Sequence, residues 1–285
     1  MGLMASIKAQ KAYNLHGKGD YEGALRLYEE AVAGGMNNPR FLLPYSTLLL
    51  RRGEYAKARE ILRQTQKAPG LSGEQHIQLF VNYVACVYRL GEIDKGIALL
   101  ERQHAKETTG LLYQALGCLY VEKYDLRNTP DFDALEAAEA AAAEEKQIAD
   151  DQEAPMEDAA AGKPTEPEEV NHTPREAWQQ GIDRAEALIR ESIEYDDEDA
   201  VCLDNMGQFL YRVKGDREAA RPWFERAIQQ KDNQIDTLYF LAQYDLEEGK
   251  KDDARQKLEK ALKGRFSPLN YSDKEKIEAA LAQLG

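Results

Sequence analysis

The sequence predicts an all-α solenoid of about six helical hairpins, and three observations carry that prediction. A glycine leading into a helix-forming run recurs at Gly19, Gly53, Gly91, Gly215 and Gly249. Five positions beyond each glycine stands a small residue (Ala24, Ala58, Gly96, Ala220, Ala254), and four further on a large apolar one (Tyr28, Leu62, Leu100, Phe224, Leu258). With Ala185 included, the small residues are spaced 34, 38, 89, 35 and 34 apart, so four steps are single repeats and the middle one carries roughly 55 extra residues.

Each feature has a physical reason. Glycine ends a helix in a backbone conformation that strains other residues, and the acidic residue that usually comes next suits the positive end of the second helix. The small residue lets two helices approach closely, and the large one a turn later fills the space between them.

Taken in order, the first hairpin begins within a few residues of Met1 and turns at Gly19. The second opens at Asn38-Pro39, and the third turns at Gly91. Pro44 in the second unit and Pro222 in the fifth each remove a backbone donor, so a bend or a late helix start is expected. The fourth unit is split. Its first helix reads Leu112-Tyr113-Gln114-Ala115-Leu116-Gly117-Cys118-Leu119-Tyr120, and its second resumes from Ala185 to Ile193. The fifth carries one added residue in the turn before Gly215. After the sixth, Ser272-Asp273-Lys274-Glu275 spells a capping box ahead of Ile277, Leu281 and Leu284, which share one helical face. A helix there covers the open edge of the last repeat.

The insertion has two textures. Thr129-Pro130-Asp131-Phe132 resembles a helix start, and the Ala/Glu-rich stretch 134–151 suits a solvated helix. The Pro-rich acidic stretch 153–170 favours disorder. Order returns at Thr173-Pro174-Arg175-Glu176, a second capping-box spelling. The expected organisation is therefore residues 1–125 for the first repeats and the first helix of the fourth, 126–173 for the insertion, and 174–285 for the remainder with the capping helix.

Leu116-Gly117 with Tyr120 resembles the first-helix signature of the tetratricopeptide repeat (TPR). Ala24, Tyr28 and Ala31, and again Ala220, Phe224 and Ala227, resemble its second-helix signature. The resemblance runs from near Ala5 to Phe266 outside the insertion, with departures: Gly96 replaces the usual alanine and Lys11-Ala12 the leucine-glycine pair. It implies a right-handed solenoid whose first helices face a concave groove, and a non-catalytic scaffold that binds a protein or peptide segment there. Carried over position by position, the groove candidates are Tyr13, Arg40, Arg51, Asn82, Tyr88, Arg89, Gln114, Gln208, Tyr211, Arg212 and Tyr239. Aromatics, amides and arginines together suit extended peptide backbone with side-chain anchors. Arg40, Arg51 and Arg89 make an acidic or carboxy-terminal segment the better match for the first half. The carboxylate clamp of the family's chaperone-tail subclass is absent, since Ala9, Tyr13, Pro44, Gln78 and Asn82 stand at its places. The alternative is a self-associating module, a homo-oligomer gated by the acidic insertion.

The net charge is −14, and residues 126–174 hold 14 acidic and 3 basic groups, a net of −11, leaving −3 for the rest. Nearly balanced repeats argue against a nucleic-acid partner. No apolar run approaches the ~20 residues of a membrane span, and no secretory leader is legible. Three scattered cysteines, Cys86, Cys118 and Cys202, suit a reducing compartment. A cytoplasmic location is expected; an N-terminal segment removed ahead of residue 1 would instead allow a periplasmic or membrane-anchored one. Four dispersed histidines offer no zinc spacing, Gly17-Lys18-Gly19 misses any phosphate-loop pattern, and no nucleophile-base set emerges. Neither enzymatic activity nor a cofactor is expected.

Overall fold

The computed structural model describes residues 2–66, 71–153 and 172–284. Among them every regular element is helical. In order these are α1 (Leu3–Gly17), α2 (Tyr21–Ala33), α3 (Pro39–Arg51), α4 (Tyr55–Gln66), α5 (Gly73–Arg89), α6 (Ile93–His104) and α7 (Gly110–Lys123). They continue with α8 (Phe132–Glu153), α9 (Pro174–Tyr195), α10 (Ala200–Gln208), α11 (Arg217–Gln230), α12 (Ile235–Glu247), α13 (Lys251–Leu262) and α14 (Lys274–Ala282). Successive helices pair as hairpins, α1 with α2, α3 with α4, α5 with α6, α10 with α11 and α12 with α13. The fourth hairpin is α7 with α9, packed together across the intervening α8.

The turn glycines adopt φ between 70° and 85° at Gly19, Gly53, Gly91, Gly215 and Gly249, the left-handed region that a side chain would strain. The acidic residues after these glycines act in two ways. Asp20 and Asp216 are short enough for their carboxylates to accept from the N–H of Gly23 and Ala219. Glu54 and Glu92 instead reach lysines, Lys57 and Lys95, one turn on.

The small and large positions meet in the core as their spacing requires. Ala24, Ala58, Ala185, Ala220 and Ala254 are fully buried, as are Tyr28, Leu62, Leu100, Ile189, Phe224 and Leu258. Each buried large side chain is worth about 1.5–3 kcal/mol. Gly96 departs from alanine for a steric reason. A Cβ there would lie 2.9 Å from Leu119 Cδ2, because α6 and α7 approach more closely than an alanine allows.

Three local expectations need correction. The residue added before Gly215 sits not in the turn but in the helix, where Phe209–Val213 forms a π-helical turn at the end of α10. Of the bend or late start expected at Pro44 and Pro222, the late start does not occur: α3 starts at Pro39 and α11 at Arg217, and both helices run through their prolines. The cap of α14 is Asp273, whose carboxylate accepts from Lys276 N, and not Ser272. Ser272 is fully buried and its N–H is engaged by Asp236, so the capping role passes to its neighbour.

The Thr173–Glu176 capping box forms, with both reciprocal bonds present. Helix α9 begins there, well before Ala185, and its first turns meet α8: Trp178 lies edge-on to Tyr124 and Phe132, and Arg175 pairs with Asp133. Of the stretch 153–170, residues 154–170 lie outside the described residues. At the far end Ile277 and Leu284 are buried against α12 and α13, closing the last hairpin.

Candidate functional site: the inner groove

First helices supply the groove because each hairpin turns its second helix away, so α5, α7, α10 and α12 come to line one hollow. It measures about 650 Å³, with Gln78, Asn82, Gln114, Cys118, Asp204, Gln208 and Asp236 among its walls. A second hollow of about 480 Å³ lies nearer the N-terminus between α1, α3 and the start of α5, lined by Tyr13, Arg40, Leu43 and Gln75.

The sequence candidates divide among these places. Tyr13 is 40% exposed, and the Arg40 guanidinium sits 5.3 Å from its ring in the N-terminal hollow. Arg51 lies outside both hollows, over Tyr21 at 5.8 Å. Asn82 lines the central hollow and accepts a hydrogen bond from Gln78 at 3.1 Å. Gln114 lines it too and donates to Asp199 Oδ2 at 2.6 Å. Gln208 donates to Asp204 Oδ2 at 2.7 Å and accepts from Arg212 Nη1 at 2.8 Å.

Four candidates belong chiefly to packing. Arg212 is 6% exposed and pairs with Asp125 at 2.7 Å and with Glu122, locking α10 to the end of α7. Tyr211 packs between Phe240 and Tyr244, with Arg217 above its ring at 4.6 Å. Tyr239 contacts Phe240 and Tyr271. Tyr88 lies under the Arg89 guanidinium at 5.2 Å, and burial pushes its hydroxyl well above the usual tyrosine range.

Arg89 holds a segment from the other end of the chain. Its Nε donates to the carbonyl of Pro268 at 2.6 Å and its Nη2 to that of Asn270 at 3.0 Å. Between them, Cys118 Sγ donates to Leu269 O at 2.8 Å. Burial pushes this thiol up to about 12, so it stays protonated and able to donate. On the far wall Asp236 accepts from Asn270 Nδ2 (2.8 Å), Tyr271 N (3.1 Å) and Ser272 N (2.8 Å). A strap of residues 267–272 thus crosses the groove from the sixth unit to the third and fourth.

Two buried carboxyls sit behind the strap. Burial, and next the nearby Asp236, push Asp204 up to about 7, against hydrogen bonds from Thr237 and Gln208 and the Arg212 charge. Burial also pushes Asp236 up, opposed by its bonds from Asn270 and the strap N–H groups. Asp125 moves the other way. Burial alone would raise it, but hydrogen bonds from Arg127 and the Arg212 guanidinium hold it down to about 2.

The other two cysteines are likewise pushed up by burial to about 12, which removes thiolate character. Among the described residues no group of three or more His, Cys, Asp or Glu side chains is placed to hold a metal ion. No helix among them is long and apolar enough to cross a membrane.

Sequence reasoning missed the strap and Asp236, its anchor. The strap had a legible signal, since Ser267-Pro268-Leu269-Asn270 is a turn spelling with proline at its second position. Asp236 had none, being one more acid in the first turn of a helix.

A stack of helical hairpins with an inner groove lined by first helices is the architecture of an interaction scaffold. The model of the tetratricopeptide repeat matches residues 15–76. Among solved structures the chain is similar to TTC0263, a thermophilic TPR protein of Thermus thermophilus. That likeness has a TM-score of 0.56 and 15% identity over 87% of this chain and 98% of the other. It is also similar to PilW, a widely conserved type IV pilus biogenesis factor, with a TM-score of 0.52 and 15% identity over 99% and 100% of the two chains. No curated protein matches the chain. The repeat model thus covers residues 15–76, and the likeness to these solved structures shows the same helical-hairpin fold.

Proposed function

We propose that the chain is a non-catalytic scaffold that holds a segment of another protein along its inner groove. One observation carries this reading: the central groove already engages a polypeptide segment, the chain's own strap, through side chains that donate to successive backbone carbonyls. Donors aimed at main-chain acceptors bind peptide largely irrespective of its sequence, and neighbouring side-chain contacts then add selectivity. Asn82 and Gln114 offer further amide groups in the same hollow. Arg40 and Tyr13 offer a cation and an aromatic face in the other, suited to an acidic segment.

The test is a displayed library of natural protein segments screened against the full chain, with hits titrated on wild type and on Asn82→Arg. At least one segment should lose roughly tenfold in affinity or more on the variant, while the melting temperature stays unchanged. A screen in which no hit depends on groove residues overturns the reading.

A second reading, self-association, is favoured by one patch. Leu3, Met4 and Ile7 on α1 are 78%, 66% and 52% exposed, an apolar edge next to the first hairpin. It requires light-scattering mass to rise with concentration and to return to the monomer value in Ile7→Glu; a constant monomer mass removes it.

A further inference from the structure

The strap's shape says more about the ligand than its presence does. Residues 267–270 form a tight turn and not an extended strand: Asn270 N donates to Ser267 O at 3.0 Å. The turn is held by its own side chains, with Ser267 N donating to Asn270 Oδ1 at 2.7 Å and Leu269 N to Ser267 Oγ at 3.2 Å. Pro268 stands at the position where its fixed φ favours such a turn. Because these bonds are local, the same turn can form in a loop of any protein that spells it.

The groove reads this turn from outside. The carbonyls of Pro268, Leu269 and Asn270 all point to donors on α5 and α7, while Leu269 packs on the apolar cluster those helices share. Recognition of three consecutive carbonyls around a bend selects for the backbone geometry, with an aliphatic group at the third position and a carboxamide at the fourth facing Asp236. The hollow of about 650 Å³ beside the strap leaves room for more than the strap fills.

Resting on the scaffold reading above, we propose that the strap is an internal occupant of a turn-binding subsite. A partner presents a Ser-Pro-aliphatic-Asn turn in its place. The strap's hold is mainly polar, with Ser267 exposed and Pro268 to Tyr271 partly buried, so a partner bringing the same turn replaces these bonds in kind and adds further groove contacts. The subsite is thereby closed to weak ligands and open to those that match the turn.

The experiment uses a fluorescent cyclic peptide carrying residues 266–272 and the full chain in which Pro268→Gly with Asn270→Gly loosens the strap. The peptide should bind the loosened chain at least about tenfold more tightly than wild type. Adding Arg89→Ala should abolish that gain, and a scrambled peptide should bind neither. No binding to a loosened chain that melts cooperatively overturns the proposal, as does binding indifferent to Arg89. A loosened chain that doubles in mass without peptide gives the subsite to a second copy and overturns the proposal as well. Should the double variant fail to fold, hydrogen exchange on wild type decides. Amides of Leu269, Tyr271 and Ser272 exchanging far faster than those of α12 support an exchangeable occupant, and equal protection makes the strap a permanent clasp. The segment screen with Asn82→Arg is independent of these outcomes, so the scaffold reading can survive the loss of this one.

Discussion

The two hollows of the groove are made by the same repeat and have opposite characters. In the N-terminal one Arg40 and Tyr13 are exposed, and they contact each other and the Phe41 ring across α1 and α3. In the central one the arginines face inward: Arg212 is buried between Asp125 and Glu122, and Arg89 is engaged by the strap. The difference teaches that a position in the repeat fixes which way a side chain points, not what it is free to do. Long-range neighbours decide that, and here they come from the insertion boundary and the C-terminal strap.

The largest expected effect lies in the central half. Arg212→Ala takes the buried cation from Glu122 and leaves Asp125 paired with Arg127 alone, at a cost of about 3–5 kcal/mol, readable as a large fall in melting temperature. Arg89→Ala, which removes two bonds from a charged donor, should cost about 1.5–3 kcal/mol. If both variants melt like wild type, the central hollow is no more built than the N-terminal one and the contrast breaks.

A reciprocal exchange sharpens it next. Gly96→Ala moves the third unit toward the repeat's usual residue yet drives a Cβ to 2.9 Å from Leu119, so about 1–2 kcal/mol should be lost. Ala58→Gly, the equivalent place nearer the N-terminus, should lose about 1 kcal/mol through helix propensity and a vacated contact. Equal and opposite signs would mean that α6 and α7 are no more tightly packed than α4 and α5.

The buried acid pair gives a pH signature. A carboxyl raised to about 7 keeps its proton in the folded state over a range where the unfolded chain, titrating near 3.8, has lost it. Asp204 therefore makes stability fall as pH rises from about 4 to about 7 and leaves it level above. Asp125, depressed to about 2, acts oppositely: its stabilisation is full above about pH 4 and drains away as pH falls through 2. Asp204→Asn should narrow the gap in unfolding free energy between pH 5 and pH 8 by about 1 kcal/mol or more. An unchanged gap would show that the pair is ionised and solvated, as an open groove would have it.

The fold was legible because it is written in short-range periods. The glycine turns, the small-large pairs and the capping box at Thr173 each depend on residues within one hairpin, and each stands where the spacing puts it. The split unit was legible for the same reason, since Leu112 to Tyr120 and Ala185 to Ile193 each keep their half of the pattern. The chemistry of the groove was less so. Arg89 finds its acceptors 179 and 181 residues away, and Arg212 finds Asp125 87 away, distances at which no local pattern operates. The π-helical turn shows the middle case: the extra residue was countable in the sequence, but whether helix or turn absorbs it is settled by the packing of Phe209 and Val213 into the core.

The smallest stability effect is the most informative about function. Arg40→Ala and Tyr13→Ala remove exposed groups whose mutual contact is a cation over a ring, so each should change unfolding free energy by no more than about 0.5 kcal/mol. Binding is where they should register: an acidic segment that occupies the N-terminal hollow should lose roughly tenfold in affinity with Arg40→Ala and lose its salt dependence with it. A substitution that is silent in melting and loud in binding marks a residue kept for a partner. One that is silent in both would place the working surface of this scaffold entirely in the central hollow, behind the strap.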